Sequence, residues 1–492
     1  MKKPNLLLIT VDQMRWDCLS ALGHPIVETP NLDALVTKGV TFENAYSATP
    51  TCIPARAAIM TGLSQRSHGR VGYRDRVRWN YPHTIAGELA KAGYHTQCVG
   101  KMHVYPARNL CGFHNVVLHD GYLHHNRRMD DISAGEHFDH VDDYLNWARR
   151  TAGASFDLID NGLDCNASTV ARPWSQPEHL HPTNWCVSES IDFLRRRDPD
   201  KPFFLWTSFV RPHSPLDPPK PYLDMYSELN FPEPPVGDWV DEEAAAQGGL
   251  EPTTSFGHVP KRRLNQARAA YYALISHIDD QIGRLLIALQ EYGVLNDTLI
   301  VFTSDHGELM GDHHYFRKAL PYEGSAKVPF IAFDPGGRFG FRRGSRVERV
   351  IELRDIMPTL LDAAGAPIPE TVEGESLLPL CKGESPEWRA YVHGEHAYGK
   401  LSHHFATDGR EKYIWFSQTG EEQFFDLGSD PGERFNRIAD PACLPRISEW
   451  RERVIRELDG REEGYVENGT LIVGRTPKAC LDHLLQSSAA DS

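Results

Sequence analysis

The 492-residue sequence has little that would tie it to a membrane, a nucleic acid or a disulfide scaffold. No apolar run approaches the roughly 18 residues that a membrane-spanning helix needs, which excludes such a span. Positive charge is scarce: 52 Lys and Arg stand against 67 Asp and Glu, a formal charge of -15, whereas a phosphate backbone wants a basic surface. The nine cysteines (18, 52, 98, 111, 165, 186, 381, 443, 480) are odd in number, scattered and free of Cys-x-x-Cys pairs. That spacing excludes a disulfide framework and a cysteine-rich zinc knot. Lys2-Lys3 before Leu6–Ile9 resembles the start of an export signal, but the apolar stretch is short and runs into Asp12-Gln13 with no small-residue cleavage site. The expectation is a cytoplasmic protein with a buried first strand. What remains is a globular composition, 24% charged and 10% aromatic, sized for two to four domains or one large body with an appendage.

Three apolar, β-rich runs end abruptly in polar, ligand-type residues. Asn5–Val11 runs into Asp12-Gln13, Phe203–Phe209 into Arg211-Pro212-His213, and Thr298–Thr303 into Ser304-Asp305-His306. Continuous apolar strands suit a sheet covered on both faces, and such sheets collect ligands at their carboxyl ends. The three ends therefore point to one shared site. Helical patterns cover residues 84–92, stopping at Gly93, and 263–292. Residues 104–200 show weaker periodicity and read as loops and short helices inserted over the site. The Pro- and Glu-rich stretch 366–390 reads as a connector. Strand-like Lys412–Phe416 and Gln423–Asp426, then a helix near 444–458, fit a small α+β appendage. The fold class expected is α/β: a large mixed, mostly parallel sheet sandwiched by helices over residues 1–383, with a C-terminal antiparallel-sheet-plus-helix subdomain over 384–492.

The most informative segment is Thr49–Gly62, which contains Cys52, Pro54 and Arg56. Pro54 suits a first helical turn and Ala55–Met60 are good helix formers. Cys52 then sits at a helix N-terminus, where free N–H groups and the dipole stabilise an anion, and Arg56 adds a charge one turn along. A cysteine so placed is a candidate nucleophile; the same spacing also suits a packed cysteine beside a surface arginine.

Cys52-x-Pro54-x-Arg56 followed by Ala-Ala-Ile-Met-Thr-Gly62 resembles the signature of type I sulfatases, within the alkaline phosphatase superfamily. Further landmarks follow in order: Asp12-Gln13, Gly100-Lys101-x-His103, His213, Asp305-His306-Gly307-Glu308, Lys318, and Phe424–Leu427 with Asp430-Pro-Gly-Glu433. The resemblance implies an alkaline phosphatase-like fold and oxidation of Cys52 to formylglycine by a formylglycine-generating enzyme. It implies a divalent metal at Asp12, Gln13, residue 52, Asp305 and His306. Their mostly oxygen donors suit a hard cation; the family favours Ca²⁺, and the glutamine and histidine leave Mg²⁺ or Mn²⁺ open. It implies attack at sulfur by a hydroxyl of the hydrated formylglycine, with Arg56, Lys101 and Lys318 offsetting charge on the sulfuryl oxygens. His213 would protonate the leaving oxygen, and His103 would take a proton from the second hydroxyl to release sulfate.

The function so implied is hydrolysis of a sulfate monoester, of a sugar or an aryl alcohol, with no nucleic-acid or membrane partner. Asp12-Gln13 keeps a phosphonate monoester or phosphodiester hydrolase of the same superfamily as the alternative, since many sulfatases have two aspartates there. A non-catalytic sulfated-glycan-binding protein is a third reading, and it requires an unmodified Cys52. The remaining histidines match no common zinc spacing. His114, His119, His124, His125, His137 and His140 crowd the insertion, and His393, His396, His403 and His404 precede the last strands as candidates for lining the substrate pocket.

Overall fold

The computed structural model describes residues 2–121, 140–156 and 162–490. His124, His125 and His137 lie outside the described residues. The main sheet is built from β1 (Asn5–Asp12), β2 (Val40–Tyr46), β3 (His95–Gly100), β4 (Asn115–Leu118), β5 (Phe203–Pro212), β6 (Thr298–Ser304), β7 (Lys327–Val328), β8 (Phe330–Phe333) and β9 (Ser345–Glu352). Its order is β4-β3-β5-β1-β6-β8-β2-β7, with β9 also paired to β2. β4, β3, β5, β1 and β6 run parallel, and β8 is antiparallel to both β6 and β2.

The strands are apolar on both faces because each face has its own core. Leu7, Ile9 and Val11 of β1 pack with Ile300 and Phe302 of β6 against the helices Pro182–Arg196 and Lys261–Glu291. Their neighbours Leu6, Leu8, Leu299 and Val301 pack against the helices Cys52–Thr61, Ile85–Lys91 and Ile356–Ala364. This period of two is the strand pleat sorting one sequence between two layers.

Two regions differ from expectation. Within 104–200 the 15-residue helix Pro182–Arg196 is a full layer element and no short loop helix. Its inner face carries polar residues that find buried partners: Ser190 Oγ lies 2.9 Å from Thr207 Oγ1, and Asn184 Oδ1 lies 2.6 Å from His277 Nε2. Apolar periodicity does not register such a face. In the 366–390 stretch, Leu377, Leu378, Leu380 and Cys381 are buried in the second core, so part of the expected connector is core.

Beyond it, β10 (Val392–His396), β11 (His403–Thr407), β12 (Glu411–Phe416) and β13 (Glu422–Asp426) form an antiparallel meander. One face packs on Ile447, Trp450, Val454 and Leu458 of the helix Leu444–Leu458. On the other, Phe405, Ile414 and Phe425 meet Tyr46, Tyr322 and Val350 of the main body. The Asp430-Pro-Gly-Glu433 turn locks this junction. Glu433 accepts from the Glu323 backbone N–H at 2.7 Å and from the buried Lys412 ammonium at 2.8 Å.

Candidate active site

Parallel pairing aligns the carboxyl ends of β3, β5, β1 and β6: Gly100 is level with Ser208, Thr10 with Ser208 and Thr303, and Val11 with Ser304. Asp12, Lys101, His213 and Asp305 therefore leave the sheet at one edge. Cys52 reaches the same edge from the first turn of its helix, whose N-cap is Thr51 and whose C-cap, Gly62, takes φ 67. Asp12, Cys52, Asp305 and His306 are all buried, and one ligand atom from each lies within 4.8 Å of the others.

Around Cys52 Sγ stand His306 Nε2 at 3.2 Å, Lys101 Nζ at 3.4 Å and Asp12 Oδ1 at 3.6 Å. Burial and Asp12 push the thiol pKa up, but Lys101, Lys318 and His306 pull it further down, so it lies below the ordinary thiol value. Burial also opposes ionisation of Asp12, yet Lys101, His213 and Lys318 hold its carboxyl well below the usual range. Lys101 donates directly to Asp12.

The ring orientation of His306 follows from its partner. Nδ1 lies 3.0 Å from the Gly307 carbonyl, an oxygen that only accepts, so Nδ1 carries the proton and Nε2 faces Cys52 and Asp12. Burial disfavours a positive charge there, but Asp305 and Cys52 raise the pKa above the ordinary histidine value. Two carboxylates, an imidazole nitrogen set among negative groups and the side chain of residue 52 fit a divalent cation.

Gln13, with φ 70, turns its amide between two charges. Its Nε2 donates to Glu308, and its Oε1 accepts from Lys318 Nζ at 2.5 Å. Arg56 is fully buried behind the cluster. It donates to Asp305 Oδ2 at 3.1 Å, the Lys101 carbonyl at 2.6 Å and Ser208 Oγ at 2.9 Å.

The two motif glycines mark close backbone approaches. A Cβ on Gly100, whose φ is 98, would sit 2.0 Å from the Ser208 carbonyl oxygen, and one on Gly307 would sit 2.0 Å from the Gly324 oxygen. Asp120 fixes the loop after Gly100 by accepting from the backbone N–H groups of Met102 at 2.8 Å and His103 at 3.0 Å.

Over the cluster opens a cavity of about 280 Å³, lined by Cys52, His103, His213 and Lys318 among the expected residues. Thr51, Tyr73, Asn166, Arg317, Ala319, His396 and Tyr398 complete it, and Asp12, Gln13, Arg56, Lys101, Asp305 and His306 are not part of its lining. Of the 393–404 histidines, His396 is the one lining the cavity; its Nε2 is 3.0 Å from Thr51 Oγ1. His393, His403 and His404 are buried in the meander. His119 is held by Asp142 at 2.9 Å, and His114 by Thr96 at 2.8 Å. Burial first, then Lys318, holds the His213 pKa well below the ordinary value. Its Nδ1 lies 2.8 Å from the Ser214 carbonyl, which leaves Nε2 to face outward as a proton acceptor.

Sequence reasoning missed Asp120, Tyr73, Asn166, Arg317 and Tyr398 as site residues. Loop side chains assembled by tertiary contact carry no local pattern; only Arg317, adjacent to Lys318, had a signal to follow.

A mostly parallel sheet that presents a buried cluster able to hold a cation beneath a pocket lined by histidine, lysine and arginine defines a hydrolase of the alkaline phosphatase superfamily, a fold shared with the phosphonate monoester hydrolase of Silicibacter pomeroyi (TM-score 0.74, 26% identity, 97% of this chain and 100% of that one). The family model described as sulfatase matches residues 4–366, and that described as N-sulphoglucosamine sulphohydrolase, C-terminal, matches residues 311–459. This chain belongs to the sulfatase family and is a sulfuric ester hydrolase. It is 56% identical to an arylsulfatase of Clostridium perfringens over 98% of this chain and all of that protein. It is 30% identical to the multifunctional alkaline phosphatase superfamily protein PehA of Trinickia caryophylli, over 92% and 95% of the two chains.

Proposed function

We propose that this chain hydrolyses sulfate monoesters of aromatic alcohols or sugars, using formylglycine made from Cys52 and a divalent cation, Ca²⁺ before Mg²⁺ or Mn²⁺. The observation that carries the reading is the position of residue 52. It is both a member of the buried ligand cluster and part of the pocket floor. The full-length similarity to an arylsulfatase supports the choice of sulfur ester.

Asp12, Asp305, His306 and the Gln13 amide oxygen would hold the cation, whose contribution is Lewis acidity at residue 52 and at the ester oxygens. As formylglycine with one water added to its aldehyde, that residue would supply one hydroxyl for attack and a second whose proton must leave for sulfate to be released and the aldehyde to re-form.

The remaining residues bind, orient and move protons. Lys318 reaches the pocket and Lys101 lies against residue 52, so both would offset charge on the sulfuryl oxygens. Arg56 acts from behind as a positioning residue, since its Nε and Nη1 hold Asp305, the Lys101 carbonyl and Ser208. To protonate the leaving oxygen, His213 must first take a proton on Nε2. The charge of a bound sulfate ester favours that uptake, raising a pKa that burial and Lys318 depress. His103 also lines the cavity, its backbone pinned by Asp120, and is the residue to accept the proton of the second hydroxyl.

A second reading, phosphonate monoester hydrolysis, has Gln13 and the structural likeness in its favour. Mass spectrometry of the Cys52 peptide from active protein, with turnover of matched aryl sulfate, phosphate-diester and phosphonate substrates, tests both parts. Formylglycine and dominant sulfate turnover are expected. An unmodified thiol in fully active protein refutes the nucleophile, and phosphonate turnover far above sulfate turnover refutes the substrate class.

A further inference from the structure

Away from the pocket, three side chains from separate segments converge on one point. Glu242 opens the short helix Glu242–Ala246, His258 lies on the loop after Gly257, and His314 lies on the Asp312–His314 turn. His258 Nε2 is 2.9 Å from Glu242 Oε2 and His314 Nε2 is 3.2 Å from Glu242 Oε1. The two imidazole centroids are 4.4 Å apart, edge to face with 63° between the ring planes. One ligand atom from each of the three residues lies within 4.8 Å of the others. From this geometry we propose a second metal site, for a zinc-like divalent ion, formed by Glu242, His258 and His314.

The ligand chemistry fits. Two neutral imidazoles and one carboxylate are a set that Zn²⁺ takes, with water completing the tetrahedron. Zinc bonds of about 2.0–2.1 Å at tetrahedral angles place neighbouring donors about 3.3 Å apart, close to the nitrogen–oxygen separations already present. Each ring now donates from Nε2 to the Glu242 carboxylate and would coordinate through that nitrogen with its proton moved to Nδ1, a tautomer change with no net loss of a proton.

The backbone under the three ligands is already tied together. The His258 N–H donates to the Ala245 carbonyl at 2.9 Å, binding its loop to the helix that carries Glu242. The Gly257 N–H donates to the His314 carbonyl at 3.0 Å, and the Phe316 N–H to the Ser255 carbonyl at 3.0 Å. Phe256 and Tyr315 then pack with ring centroids 4.6 Å apart. Ion binding therefore asks for small rotations of side chains, with little ordering of chain.

The site also has a functional address. His314, with φ 63, is followed at once by the segment that brings Arg317, φ 66, and Lys318 into the pocket. A metal at His314 clamps the outer end of that segment to the 242–258 region, making it a structural tie for two pocket cations.

Zinc titration of the full-length protein against a chromophoric chelator tests the assignment, with the His258→Ala/His314→Ala double variant as comparison. The wild type is expected to bind one more equivalent than the double variant, while aryl sulfate turnover without added zinc is retained in both. Equal stoichiometry in the two proteins overturns the site. Should the double variant fold poorly, Glu242→Gln keeps a hydrogen-bonding amide and is expected to weaken the additional equivalent by about 10–100-fold. Unchanged affinity in that variant likewise overturns it.

Discussion

The strand end that carries His213 rests on a buried ion pair, and Asp217→Asn tests how much that pair contributes. Arg211 and Asp217 are both fully buried and joined by two hydrogen bonds, Nε to Oδ1 at 2.7 Å and Nη2 to Oδ2 at 2.8 Å. Burial raises the Asp217 pKa, but Arg211 and the neighbouring His181, 3.8 Å away, outweigh it and leave it at about 2, against an ordinary 3.8. By linkage, that depression corresponds to about 2.5 kcal/mol of stability at neutral pH. Asparagine keeps the shape but removes the countercharge of a fully buried guanidinium, a change that costs about 3–5 kcal/mol in buried pairs. The expected loss is therefore about 2–5 kcal/mol, read from urea unfolding followed by tryptophan fluorescence. The sign of the pH dependence is fixed. A depressed carboxyl contributes fully above its unfolded value of 3.8 and loses that contribution as pH falls towards 2. The gap between wild type and variant should thus be constant above about pH 5 and shrink below it. A loss under about 1 kcal/mol, or a gap that ignores pH between 5 and 2, would refute the reasoning.

Cys52→Ala is expected to abolish turnover while leaving the unfolding transition close to that of the wild type; measurable aryl sulfate hydrolysis would falsify the assignment of residue 52. Gly100→Ala places a methyl 2.0 Å from the Ser208 oxygen at a φ of 98. It should cost about 2–4 kcal/mol and, by displacing Lys101, lower kcat more than it raises KM, which steady-state kinetics and thermal melting check together. Glu433→Ala removes one of two carboxylates from the fully buried Lys412 and should cost about 1–3 kcal/mol in thermal unfolding, with KM for the ester unchanged at temperatures where the variant is folded.

How much of this was legible in the sequence depended on whether the signal was local. The strands Asn5–Asp12, Phe203–Pro212 and Thr298–Ser304 declared themselves because both faces are buried, so most positions are apolar until the ligands begin. The convergence of Asp12, Cys52, Asp305 and His306 was legible through motif spacing, and the glycines of those motifs have a steric reason in the structure. The amide of Gln13 was not: its two partners, Glu308 and Lys318, lie about three hundred residues away in sequence, and only the folded chain shows which way it turns. Asp120 was equally silent, since an acceptor for two backbone N–H groups has no preferred neighbour in the sequence. The helix Pro182–Arg196 was missed because its buried face is partly polar, satisfied across layers by Thr207 and His277.

The contact between His396 and Thr51 has a consequence in time as well as in space. Residue 52 leaves the ribosome more than three hundred residues before β10 does, yet in the finished fold it is only 2% exposed and sits at the bottom of a cavity of about 280 Å³. No second protein can insert an active site into that volume. If Cys52 is oxidised enzymatically, the modification must outrun the closing of the pocket, so the yield of active molecules becomes a race between synthesis, modification and folding. Slowing the folding of the last hundred residues would then raise specific activity, although no residue of the nascent site is changed.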